Sequence, residues 1–339
     1  MADTDFNQSR RAILGGAAVL AAAGTAPVRA LSQETPGKTD LSGASVLITG
    51  SSSGFGRLTA LHLARAGANV IASMRNLNNG KRPEAQELRD IASAEKLKLQ
   101  VVEIDVTKPA EISSGVRAAQ DIANGALDVL VNNAGIGVAG PIEMHDFDEE
   151  SAYKQFDVNL FGYHRMARAV LPAMRARGAG LLVQVSSQLG RFVIPNIGAY
   201  SATKFALEAM FETMAYELAP MGVDVSIVQP GGYPTKIWDN GVRYLAALME
   251  DADEERKAAY GAHLEMARGF FSGSSDTDPM DVPRAIAELI AAPKGKRPLR
   301  RPVHPNTQGV DAVNGVSAQV QAAVLGRGAY ARWHAAVTQ

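Results

Sequence analysis

Tyr200 and Lys204 stand four residues apart in Gly198-Ala199-Tyr200-Ser201-Ala202-Thr203-Lys204-Phe205. A helix over residues 201–214 would set both on one face, one turn apart. A phenol of ordinary pKa near ~10 exchanges protons poorly at neutral pH. A fixed ammonium beside it favours the phenolate and pulls that value down, which makes the pair a usable general acid/base. Ser187, just beyond the apolar run Leu181-Leu182-Val183-Gln184-Val185, is placed to offer a hydroxyl to a substrate oxygen as charge develops there. Taken alone, Tyr-x-x-x-Lys is equally at home as a pair on an amphipathic surface helix. Its meaning depends on the elements that would hold it.

Those elements begin at Ser45-Val46-Leu47-Ile48-Thr49, a short apolar run fit for a buried parallel strand. It leads into Gly50-Ser51-Ser52-Ser53-Gly54-Phe55-Gly56 and a helix carrying Leu58, Leu61 and Ala64, closed by Gly67. Strand, glycine-rich turn and helix form a phosphate-binding arrangement. The glycines admit backbone N–H groups to a pyrophosphate, and the helix N-terminus presents its positive end. Here the spacing is Gly-x-x-x-Gly-x-Gly rather than Gly-x-Gly-x-x-Gly. The next strand, Asn69 to Met74, ends on Arg75. No acid stands there to hold ribose hydroxyls, whereas Arg75 suits a 2′-phosphate; the alternative is a solvated arginine at a strand end.

Strand and helix signals then alternate. Pro83 and Pro109 open helices on either side of a strand from Leu97 to Ile104 that ends at Asp105. Leu127 to Val131 is a strand running into Asn132-Asn133-Ala134-Gly135. Asp148, Glu149 and Glu150 lead into a long amphipathic helix with Phe156, Leu160, Tyr163, Ala167, Val170 and Met174 at helical spacing. After the Ser187 strand and the Tyr200 helix come the strand Val223 to Val228, a helix from Asp281 to Ala291 and a strand near Leu299 to His304. The pattern predicts an α/β fold, a doubly wound parallel β-sheet of about seven strands in a single domain with helices on both faces. Residues 232–280 interrupt it with Trp238, Tyr244, Leu248, Met249, Phe270 and Phe271 among charged residues. This segment reads as a lid and substrate pocket beyond the strand ends, or as an insert whose apolar face packs on the core. Residues 306–339 read as a C-terminal helical tail.

Composition narrows the chemistry. The 339 residues are 46% hydrophobic and 20% charged, with a formal net charge of −1, and carry no basic stripe for nucleic acid. Without cysteine there is no disulfide, thiol nucleophile or cysteine metal site, and the six histidines include no His-x-x-x-His pair, so no metal is expected. Residues 1–40 differ from the rest: Arg10-Arg11, an Ala/Gly-rich run and Val28-Arg29-Ala30 form the layout of a twin-arginine signal peptide. The uncharged run from Ala12 to Val28 is at the lower limit of length for a membrane span and rich in Ala and Gly, and is not read as a stable transmembrane helix. A periplasmic address is expected, with the cytoplasm as the alternative if the leader is only an Ala-rich extension.

Taken together, the residues resemble the short-chain dehydrogenase/reductase (SDR) family, with its NAD(P)-binding Rossmann fold, over about residues 41–305. The likeness rests on Thr49-Gly50-x-x-x-Gly54-x-Gly56, Asp105, Asn132-Asn133-Ala134-Gly135, Asn159, Ser187, Tyr200-x-x-x-Lys204 and Pro230-Gly231 with Thr235. The resemblance implies that Tyr200 exchanges a proton with the substrate oxygen and that Ser187 polarises it. Lys204 would lower the Tyr200 pKa and hold the nicotinamide ribose, and Asn159 would keep a water in the proton relay. It also implies a cofactor bound by Gly50, Ser52, Gly54, Phe55, Gly56 and Arg75, then by Asp105 and Val106 at the adenine and Asn133, Ala134 and Gly135 along its flank. Pro230, Gly231 and Thr235 would lie at the carboxamide end. Within the family the chain looks most similar to members related to steroid and retinol dehydrogenases. Ser53 departs from the basic residue often found there in NADP-preferring members, which leaves Arg75 to favour NADP(H), with NAD(H) as the alternative.

The expected activity is an NADP(H)-dependent alcohol dehydrogenase or carbonyl reductase acting on a small, apolar molecule. Two other readings are a catalytically idle NAD(P)-binding sensor or scaffold, and a sugar-nucleotide epimerase or dehydratase. The full set Asn159, Ser187, Tyr200 and Lys204 argues against the first, and the Asn-Asn-Ala-Gly turn and lack of a larger C-terminal domain against the second. Apolar residues on more than one face of the helices near 153–177 and 200–214 point to a homodimer or homotetramer.

Overall fold

The computed structural model describes residues 39–146, 152–271 and 276–338. The leader and the acids Asp148, Glu149 and Glu150 lie outside the described residues, as do the side chains of Trp238, Phe270 and Phe271.

Strand and helix alternate from the start: β1 (Ser45–Ile48), α1 (Gly54–Arg65), β2 (Asn69–Met74), α2 (Pro83–Glu95), β3 (Leu99–Glu103), α3 (Pro109–Ile122) and β4 (Val129–Asn132). Then come α4 (Ala152–Phe156), α5 (Gly162–Arg177), β5 (Gly180–Val185), α6 (Gly198–Leu218) and β6 (Val223–Pro230). All seven strands, with β7 (Arg300–Val303) at one edge, are parallel in the order β3-β2-β1-β4-β5-β6-β7. The chain winds outward from β1 in one direction and from β4 in the other. A crevice therefore opens beyond the carboxyl ends of β1 and β4.

The two-residue period of the strands decides which helix packs where. On one face Val46, Ile48 and Val131 meet Leu63 of α1, Leu88 of α2 and Ile286 and Leu289 of α10 (Asp281–Ala291). On the other, Leu47, Leu130 and Leu182 meet Val116 of α3, Met166 and Val170 of α5 and Leu207 and Phe211 of α6. Each such fully buried side chain contributes roughly 1.5–3 kcal/mol by leaving water, so both faces are anchored.

Two departures from the expected elements matter. The long helix is not continuous, because one wide turn of π-helix, Asp157–Phe161, separates α4 from α5. The segment expected as a lid folds as α7 (Ile237–Asp251), α8 (Glu254–Ala259) and α9 (Gly261–Phe271). Leu245, Leu248, Leu264 and Ala267 pack with Ala139, Met144 and Ile197 in a small separate core, while Ile237, Asn240, Arg243 and Tyr244 face the crevice. The tail forms α11 (Val310–Leu325) and α12 (Ala331–Thr338). No helix among the described residues is long and apolar enough to cross a membrane.

Candidate active site

The crevice is a cleft of about 690 Å³. At its floor the ends of β1 and β4 are clamped together. The Thr49 hydroxyl accepts the Asn133 and Ala134 N–H groups at 2.9 and 3.0 Å, and Asn133 Nδ2 donates to the Thr49 carbonyl at 2.9 Å. Glycine is required here by contact: a Cβ on Gly50, which has φ +70°, would lie 2.7 Å from Ala134 Cα, and one on Gly56 would lie 2.3 Å from the Gly50 carbonyl oxygen. Helix α1 then starts with no acid in its first turn and with Ser53 making no side-chain cap, so its positive end faces the cleft. Phe55 is held edge-on by Tyr233 (centroids 5.6 Å), which also meets His304 at 5.3 Å and donates to Asp281 at 3.0 Å.

The reacting groups come from β5 and α6. After β5 the chain turns through Gln188–Gly190, and Ser187 caps that turn by accepting the Leu189 N–H at 3.1 Å. The Ser187 side chain lies near enough to the phenol of Tyr200 to favour the phenolate, and both residues line the cleft. Lys204, one turn along α6, is 3% exposed. Its Nζ donates to the Val185 carbonyl at 2.9 Å and stands 5.4 and 5.6 Å from the ring centres of Tyr163 and Tyr200.

Electrostatically the pair departs from the expectation. Burial pushes the Tyr200 phenol up to about 12 although Ser187 pulls the other way. Burial likewise pushes the Lys204 ammonium down to about 7, opposed by the Glu208 carboxylate. The ammonium sits over the tyrosine ring and is bonded to a backbone carbonyl, so its pull on the phenol oxygen does not outweigh desolvation.

Asn159 is anchored through its side chain. Fully buried in the π-turn, it accepts the Ile136 N–H at 2.9 Å and donates to the Ile136 carbonyl at 2.9 Å and to Thr203 at 3.2 Å. With both amide hydrogens engaged, its side chain stands behind the cleft wall and fixes the loop after β4 against α6. Gly56 is likewise behind the wall. The other expected residues, Gly50, Ser52, Gly54, Phe55, Arg75, Asp105, Val106, Asn133, Ala134, Gly135, Ser187, Tyr200, Lys204, Pro230, Gly231 and Thr235, line the cleft.

At the far end Arg75 is exposed, and Arg82, which sequence reasoning passed over, donates to its carbonyl and pairs with Glu84 at 3.0 Å. The Arg82 hydrogen bond, with a further contribution from Lys236, holds Glu84 below the usual carboxylate range. Burial opposes ionisation of Asp105, but the hydrogen bonds from Thr107, with Arg75 and Lys108, prevail and lower it. Nearer Tyr200 the walls are apolar: Leu189, Phe192, Ile194, Ile197, Ile237 and Tyr244. No group of three acidic or histidine side chains suited to a metal occurs among the described residues.

With this geometry in hand, comparison with known proteins decides the family: the short chain dehydrogenase profile matches residues 44–243, more than half of the chain. The chain belongs to the short-chain dehydrogenase family. This short-chain dehydrogenase is 37% identical over 268 residues to 3-ketodihydrosphingosine reductase of Bacteroides thetaiotaomicron, covering 78% of the chain and 88% of that protein. It is 34% identical over 263 residues to human retinol dehydrogenase 8, covering 76% and 80% respectively. Among solved structures, a short-chain dehydrogenase from Streptomyces avermitilis superposes with a TM-score of 0.64 at 32% identity over 83% of this chain and 95% of that one. The protein is thus an oxidoreductase of this family, with the Rossmann-type sheet the family shares.

A nicotinamide dinucleotide, implied by that fold, fits the residues present. The Gly50 turn, packed too closely on Ala134 for a side chain, brings bare backbone to the cleft, and the uncapped start of α1 suits a pyrophosphate. Gly137 keeps the space beside the Tyr200 ring clear, since a Cβ there would lie 3.6 Å from it.

Proposed function

We propose that this short-chain dehydrogenase interconverts a secondary alcohol and a ketone, or a primary alcohol and an aldehyde, on an apolar substrate with NADP(H). The observation that carries the reading is the convergence of Ser187, Tyr200 and Lys204 on one cleft with apolar walls, Lys204 being bonded to Val185 at the strand end that leads to Ser187. The cofactor supplies or accepts the hydride at the substrate carbon. In reduction, Tyr200 gives its proton to the carbonyl oxygen while the Ser187 hydroxyl holds that oxygen as negative charge grows. In oxidation the phenol oxygen takes the proton back. Lys204 fixes the Tyr200 ring and has donor hydrogens to spare for ribose hydroxyls. Helix α7 covers the apolar side and keeps bulk water from the reacting carbon.

The choice of NADP(H) is supported by Arg75 at the cleft mouth and by Arg82 occupying Glu84. A guanidinium binds a phosphate through paired charged hydrogen bonds. Two named relatives, a 3-ketodihydrosphingosine reductase and a retinol dehydrogenase, act on long apolar molecules by name, which agrees with the cleft walls. The deciding experiment follows cofactor oxidation by the purified protein with NADPH and NADH against aliphatic ketones, aldehydes, steroids and retinoids. No turnover with any of them would overturn the reading.

Two further parts of this reading concern setting. Exposed Tyr153, Phe161 and Phe205 support a homodimer or homotetramer, checked by solution mass at micromolar concentration. Arg10-Arg11 and Val28-Arg29-Ala30 support twin-arginine export to the periplasm, checked by fractionation after both arginines are changed to lysine.

A further inference from the structure

One turn beyond Lys204 on α6 lies a second charged group that the chemistry above does not use. Glu208 is 2% exposed, and both its oxygens are engaged: Arg300 Nε donates to one at 2.7 Å and Gln229 Nε2 to the other at 2.9 Å. Arg300 also donates to Glu212 at 2.6 Å, and Glu212 accepts the Tyr216 hydroxyl at 2.8 Å. Asn314 of α11 donates to Gln229 at 2.7 Å. Arg191, just after the Ser187 turn, donates to Ser317 of α11 and lies in the field of Arg300, Glu208 and Glu212. Gly190 of that same turn packs on this stretch of α6, with the place of a Cβ 3.1 Å from Glu208 Cγ and 3.2 Å from the Lys204 carbonyl oxygen.

Two carboxylates and the two guanidiniums of Arg191 and Arg300 thus balance one another, and Lys204 is the fifth charge. What faces Lys204 directly is neutral: the Val185 carbonyl, the Tyr163 ring of α5 and the Tyr200 ring. Among the described residues no carboxylate forms a contact ion pair with its ammonium. A buried cation in such a setting tends to lose its proton. The charge that opposes this is Glu208, a helical turn away and held so that it cannot swing off.

We propose that Glu208 is a positioning residue of the catalytic machinery, fixed by Arg300 and Gln229 so that its carboxylate keeps Lys204 an ammonium within a neutral pocket. This rests on the reading of Tyr200 and Lys204 as the proton-transfer pair. It also makes the arrangement of β6, β7 and α11 a determinant of the charge beside Tyr200, although none of Arg300, Gln229 and Asn314 touches the reacting atoms. The direction of the effect agrees: burial drives Lys204 down to about 7 and Glu208 acts against it.

The test uses the full chain labelled with 15N-lysine, with the Lys204 resonance assigned by its absence in Lys204→Met, and follows the titration midpoint by NMR. Glu208→Gln should lower that midpoint by ~0.5 pH unit or more, the size expected of a carboxylate a turn away in partly screened surroundings. The alkaline limb of the kcat/KM profile should move by the same amount. Glu208→Asp, which keeps the charge, should restore both. Glu212→Gln removes the other partner of Arg300 and should lower Tm without moving the midpoint. Should Glu208→Gln fail to fold, Glu208→Gln with Arg191→Gln removes one charge of each sign and leaves Arg300 paired with Glu212; a shift in the same downward direction is expected. A midpoint unmoved in the Glu208 variants, with Tm losses like that of Glu212→Gln, would overturn the proposal and leave Glu208 a structural partner of Arg300. Because the NMR titration needs no substrate, absence of turnover in the wild type would refute the proposed reaction without deciding this one.

Discussion

The ammonium of Lys204 donates to the carbonyl of Val185, two residues ahead of Ser187, at 2.9 Å. One hydrogen bond thereby ties the helix that carries Tyr200 to the strand end that carries Ser187, so the two reacting hydroxyls keep a fixed relation.

That relation predicts the outcome of removing the proton alone. Tyr200→Phe keeps the ring over Lys204 and should retain cofactor affinity while losing at least ~100-fold in kcat, the usual contribution of a general acid/base. Lys204→Ala should damage both affinity and turnover. Steady-state kinetics together with a binding titration separate the two, and more than about a tenth of wild-type kcat in Tyr200→Phe would refute the assignment.

The buried lysine also makes stability depend on pH with a definite sign. Its folded value of about 7 lies below the ordinary value near 10.5, so between those limits the unfolded chain binds more protons and stability rises with pH. The penalty on the charged form is greatest below pH 7. Lys204→Met should therefore gain about 2 kcal/mol more, relative to wild type, at pH 6 than at pH 9. Chemical denaturation at the two pH values measures this, and an equal difference at both would count against a depressed Lys204.

Cofactor selection should lie with Arg75. Wild type should favour NADPH over NADH by roughly tenfold or more in kcat/KM, since charged hydrogen bonds contribute about 1.5–3 kcal/mol each before screening. Arg75→Ala should lose most of that preference. Equal kcat/KM for both cofactors in the wild type would show that Arg75 faces only solvent.

At Gly56 an added methyl has nowhere to go, with the Gly50 carbonyl at 2.3 Å and Asn133 Nδ2 at 2.5 Å. Gly56→Ala should cost about 1–3 kcal/mol as the clamp between β1 and β4 is forced apart, and should weaken cofactor binding as well. A Tm within a degree of wild type and unchanged affinity would contradict that account.

Much of this was legible in the chain because it is written in short-range periods. β2 and α10 occupy the expected residues, and Tyr200 and Lys204 do share a helix face, since a two-residue or 3.6-residue repeat is carried by neighbours alone. What was not legible depends on residues far apart or on local irregularity. Arg300 meets Glu208 across 92 positions, and no spacing announces it. Tyr233 holding Phe55, and Ser187 bonding Leu189, likewise appear only once strands and turns are placed. The π-turn left the apolar spacing of its helix close enough to regular to pass as one element. The direction of the Tyr200 shift was missed for another reason: sequence shows that a cation is near, but not how deeply both groups are withdrawn from water.

That wide turn acts as an angular shim. Gln155 and Asn159, which grip Val138 and Ile136 by hydrogen bonds of 3.0 and 2.9 Å, are set against the loop by one half of the helix, while Tyr163, Met166 and Val170 set the other half into the core. Deleting a single residue such as Leu160 would restore ordinary α-helical bonding, yet rotate one half against the other by about 100°. The chain would have to give up either the grip on the loop or the seat in the core. For this stretch length is therefore more strictly constrained than composition: conservative substitutions at Leu160 should be tolerated in turnover assays, whereas the deletion should abolish activity.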